Sequence, residues 1–429
     1  MMRIVQGGGL DARALVSRET MTDSAAEDAA RLIIADVRGE GDAALRRYTE
    51  RFDGVRIDAI ELPETALTEA LAAMPEDFAR TLRQAADNIR AFHARQVQRG
   101  FVISEADGVL LGQRVMPLQR VGMYVPGGTA AYPSTVLMNA IPARIAGVPE
   151  IVMTTPPGRD GNVDPGVLAA AKIAGVGRVF RAGGAQAIAA LAYGTESVPR
   201  VDKIVGPGNA YVAAAKRLVY GQVDIDMIAG PSEILIVADD TADASCVAAD
   251  LLSQAEHDRM AASILVTTSE ALALAVQREI GLQMPRLRRA DICGEAIEKN
   301  GWIFLTRSME EAIDISNQIA PEHLELFVED PFRWLSRVRD AGSVFLGGYA
   351  PEALGDYFAG PNHTLPTNGT ARFSSPLSVD DFIKKSSFLY YSKEALAAVV
   401  PHIADFARRE GLDAHAESVS RRFREVDSK

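Results

Sequence analysis

The stretch Lys203-Ile-Val-Gly-Pro-Gly-Asn-Ala-Tyr-Val-Ala-Ala-Ala-Lys-Arg-Leu-Val-Tyr220 opens on a short apolar run, turns through two glycines and continues as an alanine-rich segment of helical length. Strand, glycine turn and helix in that order are half of a parallel βαβ unit. The same order recurs upstream. Arg120–Val125, Glu150–Thr154 and Arg178–Arg181 read as strands, and Ser134–Ala146, Pro165–Ala174, Ala185–Ala192 and Ala210–Tyr220 read as the intervening helices. Connections of this length imply an α/β domain with helices on both faces of a parallel sheet. A second run begins at Ser232–Ala238 and continues as helix Ala242–His257, strand Ala262–Thr267, helix Ala271–Glu279 and strand Trp302–Leu305. It goes on through a helix near Ser308–Ile319, strand Leu324–Val328, helix Pro331–Asp340 and strand Ser343–Phe345. The expected fold class is therefore α/β, with two Rossmann-like parallel-sheet domains whose like order permits an internal duplication.

Outside the two runs the texture is helical. Ala29, Leu32, Ile33, Val37, Ala44 and Tyr48 recur at helical spacing around a turn at 38–42, and Pro75–Phe101 carries Ala79, Leu82, Ala86, Ile89, Ala91 and Phe92 on one side. From Pro376 onward the pattern is again helical and ends in the polar tail Ser418–Lys429. Small helical segments are thus expected at both ends. The chain has 429 residues and a net charge of −12, which offers a nucleic acid or an anionic membrane no electrostatic attraction. Two cysteines, Cys246 and Cys293, form no disulfide framework and cannot build a four-cysteine zinc site. With no signal-peptide core and no apolar stretch long enough to span a bilayer, a cytoplasmic protein is expected.

Glycines close three strands, at Val125-Pro-Gly-Gly128, Ala182-Gly-Gly184 and Val205-Gly-Pro-Gly-Asn209. Such turns gather at the carboxyl edge of a parallel sheet, where backbone amides can meet a phosphate, although none fits GxGxxG. Histidines are scarce. His257 follows Gln254 by three residues on the helix ending there, a spacing that puts an amide oxygen and an imidazole nitrogen on one face. The pair suits a divalent metal, or a cap or core hydrogen bond. His323 directly follows Glu322 at a strand entrance, which suits acid–base chemistry or a surface charge cluster. Gly355-Asp-Tyr357 and Gly360-Pro-Asn-His363 read as a polar loop in which Asp356 is a possible metal carboxylate, and His415 lies in Glu410-Gly-Leu-Asp-Ala-His415, beyond a helix Ile403–Arg409. His93 and His402 read as solvated or capping histidines with no role.

Gln254-Ala-Glu-His257, Ala320-Pro-Glu-His-Leu324, Gly355-Asp356 and Glu410-Gly-Leu-Asp-Ala-His415, in this order and at these separations, resemble the histidinol dehydrogenases. Tyr124-Val-Pro-Gly-Gly128, Gly183-Gly-Ala-Gln-Ala187, Gly206-Pro-Gly-Asn-Ala210, Ala229-Gly-Pro-Ser-Glu233 and Gly360-Pro-Asn-His363 extend the resemblance over nearly the whole chain. It implies a cytoplasmic homodimer with one zinc per subunit, oxidising L-histidinol through L-histidinaldehyde to L-histidine with two NAD. Carried over by position, Gln254, His257, Asp356 and His415 are the expected zinc ligands, with His415 coming from the partner subunit, and Glu322 and His323 are the expected catalytic pair. The same residues, with Ser232 and Glu410, are expected to bind substrate, and Tyr124, Gln186 and Asn209 to contact NAD.

The domain allocation expected on this basis is an N-terminal segment 1–22, one Rossmann-like domain from 23–123 plus 232–377, a second from 124–231, and a helical dimerisation segment 378–429. Cys246, inside a helix, and Cys293, in the polar interval Asp291-Ile-Cys-Gly294, do not sit where a thiol could add to an aldehyde, so no thiohemiacetal is expected. Two other readings stay open: a relative on the same scaffold that oxidises another primary alcohol, such as a sulfonated diol, and a catalytically silent nucleotide-binding protein. The glutamate at 410 favours a substrate with an imidazole over one with an anionic group.

Overall fold

A computed structural model describes residues 1–9, 11–16, 24–127 and 131–424. The chain divides into a unit of Met1–Val97 with Leu118–Phe382 and a unit of Gln98–Pro117 with Ile383–Lys429. In chain order the strands are β1 (Arg3–Gln6), β2 (Phe101–Ile103), β3 (Val109–Pro117), β4 (Arg120–Tyr124), β5 (Glu150–Thr155), β6 (Arg178–Arg181) and β7 (Lys203–Val205). They continue as β8 (Asp224–Ile225), β9 (Glu233–Ala238), β10 (Ala262–Thr267), β11 (Gly301–Leu305), β12 (His323–Phe327), β13 (Ser343–Leu346) and β14 (Ile383–Tyr391).

The first unit holds two parallel sheets, one of six strands in the order β1-β11-β10-β9-β12-β13 and one of five in the order β6-β5-β4-β7-β8. The α/β fold class with two parallel sheets is therefore as read from the sequence. Every side chain of β9 and β10 is buried, as expected of central strands covered on both faces by helices. Three helices that follow strands β5, β7 and β9 start on side-chain caps: Asp164, Asn209 and Asp243 each accept hydrogen bonds from two first-turn amides.

Strand pairing and helix packing tie the segments near the expected borders to particular sheets. Arg120–Tyr124, which straddles the expected border between 123 and 124, pairs with β5 and β7 in the five-stranded sheet, and the helix Ser24–Glu40 packs on helices Gly184–Tyr193 and Ala210–Val219 of that same layer. Residues 3–6, read as part of an N-terminal segment, form a parallel edge strand beside β11. Among other differences, Ala290–Asn300 is a helix rather than a polar interval, and Pro331–Asp340 shortens to Pro331–Leu335.

The second unit is antiparallel, not helical throughout. β14 pairs residue for residue with β3, which pairs with β2 on its other side, and helices Lys393–Arg409 and Asp413–Ser420 follow. Phe388, Leu389, Tyr390 and Tyr391 on β14 are exposed, with Leu389 74% accessible. Neither face of β14 is buried within the chain, so no two-residue alternation marks it as a strand. No helix among the described residues is long and apolar enough to cross a membrane.

A buried ion pair fixes the turn after β7. Lys216 Nζ donates to Asp226 Oδ1 and, at 3.0 Å, to the Gly206 carbonyl, while the amides of Gly206 and Met227 donate to Asp226 at 2.8 and 2.6 Å. Gly206 itself has φ +109°, and a Cβ there would collide with the Tyr124 carbonyl oxygen. Removing one partner leaves a charge buried and unpaired, a change that costs about 3–5 kcal/mol. Lys216→Met is therefore expected to lower the melting temperature, whereas Arg80→Ala, which removes the exposed Arg80–Asp77 pair, leaves it unchanged. Equal melting of the two variants would show that the pair does not hold this turn.

Candidate active site

The site grows from one strand pair. β12 lies beside β9 in parallel register with His323 opposite Ile234, so the backbone of Glu233 stands between the side chain of His323, which begins β12, and that of Glu322 directly before it. The Glu233 amide donates to Glu322 Oε2 at 2.9 Å. Its carbonyl accepts from His323 Nδ1 at 3.0 Å, and because a carbonyl only accepts, Nδ1 carries a proton. The Glu233 carboxylate is held in turn by the amide of Asn368 at 2.6 Å, a residue at φ +54°. Gly342 lies so near that a Cβ would come within 2.5 Å of the Glu322 carbonyl oxygen.

Around His323, which is 4% exposed, stand three carboxylates. Glu322 Oε2 and Glu352 Oε1 are each 3.8 Å from Nδ1, and Asp356 Oδ1 is 3.7 Å from Nε2. Burial opposes a charge on the imidazole, but Glu352, Glu322 and Asp356 together hold its pKa well above the usual histidine value. Burial drives Glu322 up to about 7 and Glu352 up to about 8. Asp356 stays below the usual carboxylate range despite its burial, because His323, His363 and His257 face it. Behind them Asp250, pushed up to about 6 by burial, shares a hydrogen bond with Glu325, whose Oε1 accepts from the Glu352 amide at 2.8 Å.

A donor set for a divalent cation lies in the same place. His257, Glu352 and Asp356 each offer a ligand atom within 4.8 Å of the others. Gln254, fully buried, reaches Glu352: with its nitrogen turned that way it donates to Oε1 at 2.5 Å and Oε2 at 3.0 Å. One imidazole, two carboxylates and an amide suit zinc and other borderline cations. His363 Nδ1 donates to the Asp356 carbonyl at 3.0 Å, and a cavity of about 210 Å³ bounded by His323, Phe345, Leu354, Asp356, Asn362 and His363 opens beside the pair.

Of the expected residues, Gln254, His257, Glu322, His323 and Asp356 come together. Ser232 directly precedes Glu233 and is half-buried. The helix of Gln254 is Ala244–Ala255, so His257 lies just past its end, where its amide still donates to the Gln254 carbonyl at 3.2 Å. Asp356 sits on a helix, Glu352–Tyr357, rather than in a loop. Glu410 and His415 are exposed in the second unit, at the end of helix Lys393–Arg409 and within Asp413–Ser420. Glu352 was missed. It stands four residues before Asp356, the spacing of one helix face, and reading 355–363 as loop conceals that period.

The expected nucleotide contacts stand at the carboxyl edge of the five-stranded sheet. Tyr124 is buried at the end of β4, and its hydroxyl accepts from the Gly184 amide at 3.2 Å. Gln186 is buried with Oε1 lacking a partner, next to Gly184 at φ +60°. An orphaned amide oxygen beside the first amides of a helix fits a polar ligand bearing hydroxyl and phosphate groups. Asn209 is exposed, and its Oδ1 caps helix Ala210–Val219 by accepting from Tyr211 and Val212. Gly128 of the first glycine turn lies outside the described residues.

Neither thiol approaches this chemistry. Cys293 is fully buried on helix Ala290–Asn300, which drives its pKa up to about 11, and Cys246 is raised by burial and the neighbouring Asp243 and Asp250. The polar interval expected around Cys293 is instead a helix whose inner face packs on the six-stranded sheet.

Residues 16–423 match the family model for histidinol dehydrogenase. The chain is 52% identical to the histidinol dehydrogenase of Clostridium acetobutylicum over 99% of both chains, and 57% identical to that of Geobacillus kaustophilus over 91% of this chain and 92% of the relative. A crystal structure of histidinol dehydrogenase from Elizabethkingia anophelis superposes with a TM-score of 0.93 at 39% identity, over 100% of this chain and 99% of that one. With the matched model spanning nearly every residue that builds the site, the chain belongs to the histidinol dehydrogenase family of oxidoreductases.

Proposed function

We propose that this chain is a cytoplasmic, NAD-dependent and zinc-requiring histidinol dehydrogenase that carries L-histidinol through L-histidinaldehyde to L-histidine, the closing oxidations of histidine biosynthesis. The observation that carries this reading is the anchoring of Glu322 and His323, side by side, on the backbone of Glu233 next to the donors Gln254, His257 and Asp356. Zinc would be held by Gln254, His257, Asp356 and His415 of the partner subunit, and when bound it supplies positive charge that offsets the surrounding carboxylates and orients the amine and imidazole nitrogens of the substrate. Tyr124, Gln186 and Asn209 would hold two molecules of NAD in turn, each of which supplies an acceptor for one hydride.

The residues then divide the proton transfers. Nδ1 of His323 is committed to the Glu233 carbonyl, so once a bound cation offsets the carboxylates that hold the imidazole protonated, Nε2 is the atom that takes the hydroxyl proton while the carbon-bound hydrogen departs with its electron pair. The product is the aldehyde. Glu322 takes a proton from water as the water oxygen bonds to the aldehyde carbon, and His323 returns its proton to the carbonyl oxygen, giving the hydrate. His323 again takes a hydroxyl proton as the second hydride leaves, and the carboxylic acid forms. Ser232 helps to seat the substrate. Enclosure by Glu410 and His415 of the partner subunit would keep the aldehyde from water outside the site, and the exposed apolar residues of β14 support a homodimer.

Histidinol, NAD and zinc together should generate NADH absorbance, and its absence with metal content confirmed would contradict the reading. Half-reactions measured separately on histidinol and histidinaldehyde test the division of labour. His323→Asn is expected to slow both by roughly 10²–10⁴-fold, whereas Glu322→Gln spares the first more than the second. Equal loss of both in Glu322→Gln would assign the two residues a single shared task. The double variant Cys246→Ser, Cys293→Ser is expected to retain both oxidations; a folded double variant that lost only the second would bring a thiol into the mechanism.

A further inference from the structure

Glu352 is a buried carboxylate that neither the catalytic pair nor the proposed zinc ligands include. It is 2% exposed at the start of helix Glu352–Tyr357, with its own amide fixed on Glu325 and its Oε2 3.4 Å from Ser253 Oγ. Both of its oxygens face the Gln254 side chain at hydrogen-bond distance. A primary amide is two-faced: its oxygen can coordinate a cation, and its NH2 group can only donate. Turned the other way, the Gln254 oxygen would lie against two carboxyl oxygens, a contact with a hydrogen to share only while Glu352 is protonated, a state that a bound cation disfavours.

We propose that Glu352 is a positioning residue for the metal centre: its carboxylate draws the Gln254 nitrogen inward, so that the amide oxygen is the end left for a cation held with His257 and Asp356. The inference rests on the zinc-dependent reading above. Geometry also assigns Glu352 to this task rather than to direct ligation. Although one of its oxygens lies within 4.8 Å of the His257 and Asp356 donors, both are already engaged by Gln254 and one faces Ser253. Loss of such an outer partner typically weakens metal binding by about 10–100-fold.

The test is zinc affinity of the metal-free protein, measured by competition with a chromophoric chelator, so that turnover plays no part. Glu352→Met, apolar and of similar length, is expected to raise the zinc Kd by about 10–100-fold while melting like the unsubstituted protein. Glu352→Gln keeps a carbonyl oxygen that can accept from Gln254 and is expected to stay within a few-fold of the unsubstituted Kd. In a Gln254→Ala background, Glu352→Met should cost nothing further, because the amide it orients is gone. Additive losses, or a Glu352→Gln variant as weak as Glu352→Met, would make the carboxylate itself a ligand and overturn the proposal. An unchanged Kd in Glu352→Met would overturn it while leaving the zinc-dependent reading intact, whereas failure of the unsubstituted protein to bind zinc would remove that reading and this inference with it.

Discussion

The register between β9 and β12 is the constraint on which the site depends. It sets one residue, Glu233, between Glu322 and His323, and uses both of that residue's backbone groups: the amide on a carboxylate and the carbonyl on an imidazole. A one-residue slip would turn these side chains to the opposite face and dissolve both bonds at once. The surroundings guard against it. The Glu233 carboxylate is held by the Asn368 amide, the Gly230 amide donates to Thr367 Oγ1 at 2.7 Å, and a Cβ on Gly230 would collide with the Asn368 side chain. The placement of the proposed catalytic pair is a property of strand pairing rather than of a flexible loop.

Burial makes that arrangement electrostatically costly. Glu322, Glu352 and Asp356 crowd one imidazole, with Asp250 and Glu325 behind them, and desolvation pushes most of these carboxyls toward protonation. Only Asp356, faced by three histidines, resists. A cluster with this excess of acid favours cations, whether a metal ion or the ammonium of an amino alcohol. The net charge of −12 does not report this, since it is spread over 429 residues and reflects solubility. What matters is where a handful of the acids are buried.

Much of the fold was legible because parallel strands buried on both faces leave unbroken apolar runs, as in Ile234–Ala238 of β9, and because glycine turns and helix caps punctuate them. The strand β14 was not legible, since its exposed aromatic and aliphatic residues carry no alternation. The six-stranded sheet also holds the proposed catalytic pair at the amino ends of β9 and β12, whereas the glycine turns lie at the carboxyl ends of β4, β6 and β7, as the strand entrance at His323 and the strand-closing glycines already indicate. Gln254, His257, Glu322, His323 and Asp356 could be found from residue type and from family resemblance. Glu233 could not be found that way, because its contribution to the pair comes from its backbone. Glu352 was hidden by a helix of six residues, too short for its period to stand out.

The central claim is that one site, built on Glu322 and His323, completes both oxidations without releasing the aldehyde. The stoichiometry of NADH formed per histidinol consumed, measured with an aldehyde-trapping amine in solution, tests it most directly. The account predicts two NADH for each histidinol with no trapped aldehyde. One NADH for each histidinol, with the trapped aldehyde accumulating in step, would contradict it.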